Sequence, residues 1–213
     1  MEISRAELGP LGTNAYFLMD SEKKEVWIVD PGGNGKDVVR FLEKEELQLK
    51  GILLTHGHSD HIGGVQDLIE AFPVPIYIHE KDEPMLTSSR LNLSASWGMD
   101  ITVKGEIRLV KEGDLVPCGT ANLQVIETPG HTPGGVCFFE PGEALERPTL
   151  FVGDTLFQGS IGRTDFPGGS MDELLDNIER KLYQLPDETI VFPGHGPGTT
   201  IGIEKTSNPF TRR

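Results

Sequence analysis

Positive charge is scarce in this sequence. Lys and Arg number 19 against 33 Asp and Glu, a formal net charge of −14, and the basic residues form no cluster. A face that neutralises nucleic-acid phosphates needs such a cluster, so nucleic acid is excluded as a partner. Cysteine is scarce too. Cys118 and Cys137 stand outside any Cys-x-x-Cys pattern, which leaves no disulfide framework and predicts two core or near-core thiols. No apolar run approaches the roughly 20 residues that cross a bilayer. The start, Met1-Glu2-Ile3-Ser4-Arg5, brings in an acid early and lacks the apolar stretch of an export signal. Together these absences predict a cytoplasmic protein with no membrane partner, its acidity serving solubility.

Turn-forming residues, in contrast, are abundant. Twenty-six Gly and 15 Pro break the chain often, which favours a loop-rich α/β or β-sandwich fold over a helical bundle. With 213 residues and no compositional break, the chain reads as a single domain, 1–213. Short apolar runs at 15–19 and 26–29 predict strands. Val38, Val39 and Leu42 fall at a helical spacing that runs to about Leu47, and Val65, Leu68, Ile69 and Phe72 repeat that spacing. Further strands are expected at 51–55, 75–79, 107–110, 123–127, 136–140, 150–152 and 189–192, the last followed by a short tail. Ser170 and Glu173 form a capping box ahead of the apolar face of Leu174, Leu175, Ile178 and Leu182. Strands in both halves, each half with helices, fit two packed sheets with helices outside.

The polar chemistry falls at strand ends. After Thr55 comes His56-Gly57-His58-Ser59-Asp60-His61, a set of imidazoles and carboxylates that suits Zn, Fe or Mn. Two His at i and i+2, followed by Asp-His, cannot all face one way on a regular strand or helix. On a tight loop eased by Gly57 they can divide between two neighbouring metal ions. Three more candidates follow strands in Gly-rich or Pro-rich loops: His131 in Thr128-Pro129-Gly130-His131, Asp154 in Val152-Gly153-Asp154-Thr155, and His195 in Phe192-Pro193-Gly194-His195. His79 ends a strand outside this set and reads as structural. Asp30, before Pro31-Gly32, fits either a plain turn residue or an outer partner that orients a ligand. On so acidic a chain, two bound cations would make one cleft locally positive.

In this order, His56-x-His58-x-Asp60-His61, His131, Asp154 and His195 resemble the ligand pattern of the metallo-β-lactamase superfamily over nearly the whole chain. The resemblance implies an α/β fold, a four-layer αββα sandwich of two mixed sheets flanked by helices, with the site at one edge. It places His56, His58 and His131 on one metal, and Asp60, His61 and His195 on the other. Asp154 bridges the two, and Asp60 and Asp154 are the catalytic carboxylates. Two divalent ions per chain are implied, Zn first, with Fe or Mn as alternatives.

The stretch Gly153-Asp154-Thr155-Leu156-Phe157-Gln158-Gly159-Ser160-Ile161-Gly162-Arg163-Thr164-Asp165-Phe166-Pro167-Gly168-Gly169 looks like the small single-domain bacterial branch of glyoxalase II, the hydroxyacylglutathione hydrolases. There Arg163 takes the place of a basic residue near the substrate carboxylate, and a guanidinium offers that group a bidentate grip. A loop-stabilising salt bridge to Asp165 is the other reading of Arg163. The implied activity is hydrolysis of S-2-hydroxyacyl-glutathione thioesters, like S-lactoylglutathione, by a hydroxide held between the metals. The partner is therefore a small-molecule thioester. Only residues 196–213 follow His195, without the helical C-terminal domain that helps longer relatives bind glutathione, so the thiol carrier stays open. A mononuclear-iron persulfide dioxygenase is the alternative, since such enzymes resemble this chain in the His cluster and in Gly162-Arg163-Thr164-Asp165-Phe166. A β-lactamase matches less well, because many carry Cys where this chain has Asp154.

Overall fold

A strand that is apolar on both faces must be covered on both faces, and the chain builds two sheets of that kind. The computed structural model describes residues 1–211. The first sheet has the order β1 (Glu2–Leu8), β2 (Thr13–Asp20), β3 (Glu25–Val29), β4 (Gln48–Leu53), β5 (Ile76–His79) and β6 (Ile107–Val110). It is antiparallel from β1 to β3 and parallel beyond. The second sheet contains β7 (Leu115–Cys118), β8 (Ala121–Glu127), β9 (Val136–Glu140), β10 (Thr149–Gly153), β13 (Ile190–Pro193) and β14 (Thr199–Thr200). Its order is β14-β13-β10-β9-β8-β7, in which β10 pairs parallel with β13 and the other neighbours are antiparallel. Between its halves, β11 (Leu156–Phe157) and β12 (Ser160–Ile161) form a small hairpin.

Alternation along the strands divides the core into three layers, because successive side chains leave opposite faces. Tyr16 and Leu18 of β2 and Trp27 and Val29 of β3 meet Leu123, Val125, Phe138 and Phe151 of the second sheet in the central layer. Their neighbours Phe17, Val26 and Ile28 turn outward, against Val38 and Leu42 of α1 (Gly35–Lys44). Short α2 (Ser59–Ile62) and Val65, Leu68 and Ile69 of α3 (Val65–Ala71) complete that layer, α2 adding Ile62. On the far side Cys137, Phe139, Leu150 and Val152 pack against Leu174 and Ile178 of α4 (Met171–Arg180) and Ile201 of α5 (Ile201–Ser207). Helix, sheet, sheet, helix is the αββα sandwich. Both cysteines are buried and free.

Two expectations about elements change. The stretch after β13 is no simple tail: β14 adds an edge strand, and α5 is capped by Thr200, whose hydroxyl accepts from the Ile203 N–H. Its apolar pattern is a single turn long, too short to signal a helix. Helix α1 stops at Lys44, short of Leu47, because Glu46 takes a left-handed turn (φ 55°). The cap at α4 is where the sequence puts it, with the Ser170 hydroxyl accepting from the Glu173 N–H. Among the described residues no helix is long and apolar enough to cross a membrane.

Candidate metal centre

Each candidate side chain leaves the C-terminal end of a strand, at a rim shared by both sheets. After β4 come His56 and His58, with Asp60 and His61 in α2. In the second sheet β8, β10 and β13 end shortly before His131, Asp154 and His195. Backbone bonds tie the loops across the sheets: the Val136 N–H donates to Thr55 O (2.9 Å) and the Asn14 N–H to Gly194 O (2.7 Å). The Asn14 amide and the Tyr16 hydroxyl both donate to the Pro193 carbonyl, at 2.9 and 2.7 Å.

Three overlapping groups of ligand atoms result; one of them, Asp30, His56 and His61, shares its histidines with the other two. His56, His58 and His131 each offer a nitrogen within 4.8 Å of the others, and Asp60, His61 and His195 form a second group on the same criterion. Asp154 lies between them. Its Oδ1 is 3.3 Å from His61 Nε2, while its Oδ2 is 3.7 Å from His131 Nε2 and 3.8 Å from His195 Nε2. One carboxylate thus faces both groups.

The donor set fits cations. His56 Nε2 is buried and makes no hydrogen bond, while buried His61 Nε2 and Asp154 Oδ1 meet no regular donor or acceptor and lie 3.3 Å apart as an ion pair. A buried polar atom without a partner costs about 1–3 kcal/mol, and cations held at this centre would offset that cost. His58 Nδ1 and His131 Nε2 face each other at 3.0 Å, two nitrogens placed to share one ion.

Outer contacts turn the lone pairs inward, which is inferred from the hydrogen-bond network. Asp30, in a left-handed turn (φ 49°), accepts from the Thr55 N–H (2.8 Å) and hydroxyl (2.5 Å), and from His61 Nδ1 (2.9 Å). The Thr55 oxygen, its proton given to Asp30, accepts from His56 Nδ1 (3.1 Å). His131 Nδ1 donates to the Arg163 carbonyl (2.8 Å). Asp30 is therefore the orienting partner, and the plain-turn alternative falls away.

Electrostatics follow the same division. Burial, then the surrounding histidines, holds His56 well below its usual range; burial and His131 bring His58 down to about 3, so both stay neutral. Burial also works against a charged His61, but Asp154, Asp30 and Asp60 outweigh it and push that imidazole well up. Burial would raise Asp60 and Asp154, yet His61 and His195 override it and keep both carboxyls below the usual range. The carboxylate side of the centre thus favours positive charge, while the His56 and His58 side keeps its imidazoles neutral.

Sequence reasoning missed one buried acid. Asp82 accepts from the Gly57 N–H (3.1 Å), the Thr132 hydroxyl (2.7 Å) and the Gly134 N–H (2.7 Å). It thereby clamps the loop of His56 and His58 to the loop of His131. Its partners lie 25 to 52 residues away, so no local motif announces it. Asp82→Ala leaves three donors unpaired and is expected to lower unfolding free energy by about 2–4 kcal/mol. Urea denaturation checks this, and a loss below about 0.5 kcal/mol would contradict the clamp.

Arg163 and His79 stand apart from the ligands. The Arg163 guanidinium makes a bidentate pair with Asp165 (2.7 and 2.6 Å), lies 3.9 Å over the Phe166 ring, and is largely exposed. Phe166 in turn sits 5.5 Å from the His58 ring. The salt-bridge reading of Arg163 is thus present, at the His131 end of the centre. His79 pairs with Glu127 (3.0 Å) away from the centre, a structural histidine as expected.

Comparison with known proteins places this arrangement. Residues 8–195 match the Metallo-beta-lactamase superfamily. The probable metallo-hydrolase YqgX of Bacillus subtilis is 37% identical over 99% of this chain and 97% of its own. The hydroxyacylglutathione hydrolase GloC of Haemophilus influenzae is 39% identical over 92% of each. Among solved structures, BLEG-1 B3 metallo-beta-lactamase superposes with a TM-score of 0.91 at 43% identity, covering 99% of both chains. TTHA1623 in a di-iron-bound form superposes at 0.85 with 39% identity, covering 97% of this chain and 99% of that one. With these ligands, this sandwich and these relatives, the chain belongs to the metallo-beta-lactamase superfamily.

Proposed function

We propose that the protein is a dinuclear metallohydrolase that cleaves thioesters of the hydroxyacylglutathione type. The observation that carries this is Asp154, one carboxylate facing two complete ligand groups. The residues that would hold the ions are His56, His58 and His131 on one side, Asp60, His61 and His195 on the other, with Asp154 shared. When bound there, two divalent ions would supply a water of lowered pKa and polarisation of a substrate carbonyl. Zn, Fe and Mn all suit these donors, and the structure of TTHA1623 is described as di-iron-bound.

The chain's own residues do the remaining work. Asp30, Thr55 and the Arg163 carbonyl orient the rings of His61, His56 and His131, so their inner nitrogens are aimed before anything binds. His61, which its neighbouring acids hold protonated, would yield its proton to an ion. Burial pushes the Cys137 thiol up to about 12 and raises Cys118 further, so neither is available as a nucleophile. A thiolate leaving group, with a pKa of about 8.5, departs without an acid. That favours a thioester substrate in a site whose histidines are all committed.

Arg163 is the residue we assign to the carboxylate of the thiol carrier. Arg163→Ala is expected to raise KM for S-lactoylglutathione about ten-fold with kcat held within about two-fold, the pattern of lost uniform binding. An unchanged KM would leave Arg163 as the partner of Asp165 alone.

Of two other readings, one has specific support. BLEG-1 carries the name of a β-lactamase at 43% identity, which favours β-lactam hydrolysis at the same centre. A mononuclear-iron persulfide dioxygenase would share the His cluster but leave Asp60, His61 and His195 without an ion, and the completeness of that second group weighs against it. Assays of the metal-loaded protein on S-lactoylglutathione, benzylpenicillin and glutathione persulfide separate the three. Thioester turnover well above the others is expected. Oxygen uptake without hydrolysis, or β-lactam turnover alone, would overturn the proposal.

A further inference from the structure

Beside the centre lies a cleft of about 720 Å³ whose floor includes Ser59 and Asp60. That volume is typical of pockets for drug-sized ligands, and far exceeds what a lactoyl group fills. No Lys or Arg lines it, and Asp60 is its one charged side chain. The walls carry Leu11, Trp97 and Met99, which are 50%, 66% and 41% exposed. Large apolar side chains gathered around one opening mark a recognition surface.

Both walls are built. The segment bearing Trp97 and Met99 is anchored by buried Asn92, whose amide donates to Met85 O (2.9 Å) and Ile101 O (2.8 Å). The Asn92 carbonyl accepts from the Ser59 N–H (2.8 Å), next to Asp60. The opposite wall is the β1–β2 turn. There the Gly9 N–H donates to Asn34 Oδ1 (2.7 Å), and Gly9 lies so close to Gly32 that a Cβ would come 2.9 Å from its carbonyl oxygen. Exposed apolar groups on walls this firmly tied are held out toward the opening.

The centre therefore has two unlike ends. At the His131 end stands Arg163, the cation suited to an anionic thiol carrier; at the Asp60 end lies an apolar cleft that repels one. We propose that the cleft receives the acyl group, and that the preferred substrates are thioesters of apolar acids, aryl or medium-chain, carried on an anionic thiol. Trp97, Leu11 and Met99 set this specificity. This rests on the thioesterase reading above and revises its acyl group, from a hydroxyacyl to an apolar one.

The test holds the carrier constant. For phenylacetyl- and lactoyl-glutathione thioesters, kcat/KM is expected to favour phenylacetyl by about ten-fold or more, as an apolar pocket discriminates. Trp97→Ala, and Leu11→Ala as a second exposed-site variant, are expected to remove about ten-fold from phenylacetyl turnover while leaving lactoyl within about two-fold. A preference for lactoyl, or equal losses on both, would overturn the proposal. Calorimetric binding of S-benzylglutathione against S-methylglutathione, neither of them hydrolysable, decides the matter even if no thioester is turned over. Tighter benzyl binding that Trp97→Ala abolishes supports the cleft, and equal affinities in both proteins reject it.

Discussion

Asp154→Ala is expected to take bound metal from about two ions per chain to one or fewer, and thioester hydrolysis down by at least a thousand-fold, the effect of about 4 kcal/mol of lost transition-state stabilisation. The reason is its position: Asp154 is the carboxylate within 4 Å of histidines in both ligand groups. Removing it takes a ligand atom from each group and leaves His61 with less of the negative charge that favours a cation there. The fold should survive, since the Asp154 side chain belongs to none of the three apolar layers. Elemental analysis, circular dichroism and a thioester assay on the same sample read all three effects. A variant that keeps two ions and full turnover would refute the bridging role.

Gly194→Ala is the second large effect. A Cβ on Gly194 would collide with Asp154 Oδ1 and come 2.5 Å from His61 Cε1. The Gly194 backbone cannot retreat, because its carbonyl accepts from the Asn14 N–H and its N–H donates to Gly153 O (2.8 Å). The ligands must give way instead. Displacing two of them by about an ångström is expected to cost about a hundred-fold in kcat/KM, together with about 1–3 kcal/mol of overpacking strain. Steady-state kinetics and thermal denaturation check both. Unchanged kcat/KM would mean that the His195 loop is looser than its hydrogen bonds suggest.

Much of the site was legible because each candidate ligand comes soon after an apolar strand, in or beside a Gly-rich or Pro-rich stretch. That local signature marked His56, His58, Asp60, His61, His131, Asp154 and His195, and the fold converges all seven. The supporting residues carry no such mark. Asn14 and Tyr16 reach the Pro193 carbonyl from more than 170 residues away in the chain, and Asp82 clamps loops that only the sandwich brings together. Asp30 stayed ambiguous for the same reason, since a turn aspartate and an orienting aspartate look alike until His61 arrives beside one of them. Edge strands β1, β7 and β14 were missed because exposed edges need no apolar run: β1 reads Glu-Ile-Ser-Arg-Ala-Glu-Leu, mostly facing solvent. The interior strands, apolar on both faces, were legible, and of the edges only β6 was, through its Ile-Arg-Leu-Val run.

Arg163 shows how a local motif constrains less than it suggests. Its backbone has a defined task in orienting His131, while its guanidinium is engaged by Asp165 two residues on. A substrate carboxylate must compete with that pair. The modest effect expected of Arg163→Ala, beside the large ones at Asp154 and Gly194, follows from that competition.

The measurement closest to the central claim is the metal content of the purified protein after loading and removal of free ions, read against protein concentration. About two divalent ions per chain are expected, shared through Asp154 and lost together with thioester hydrolysis on chelation. A single ion per chain that saturates activity would contradict it, because the second ligand group of Asp60, His61 and His195 would then hold nothing the chemistry needs.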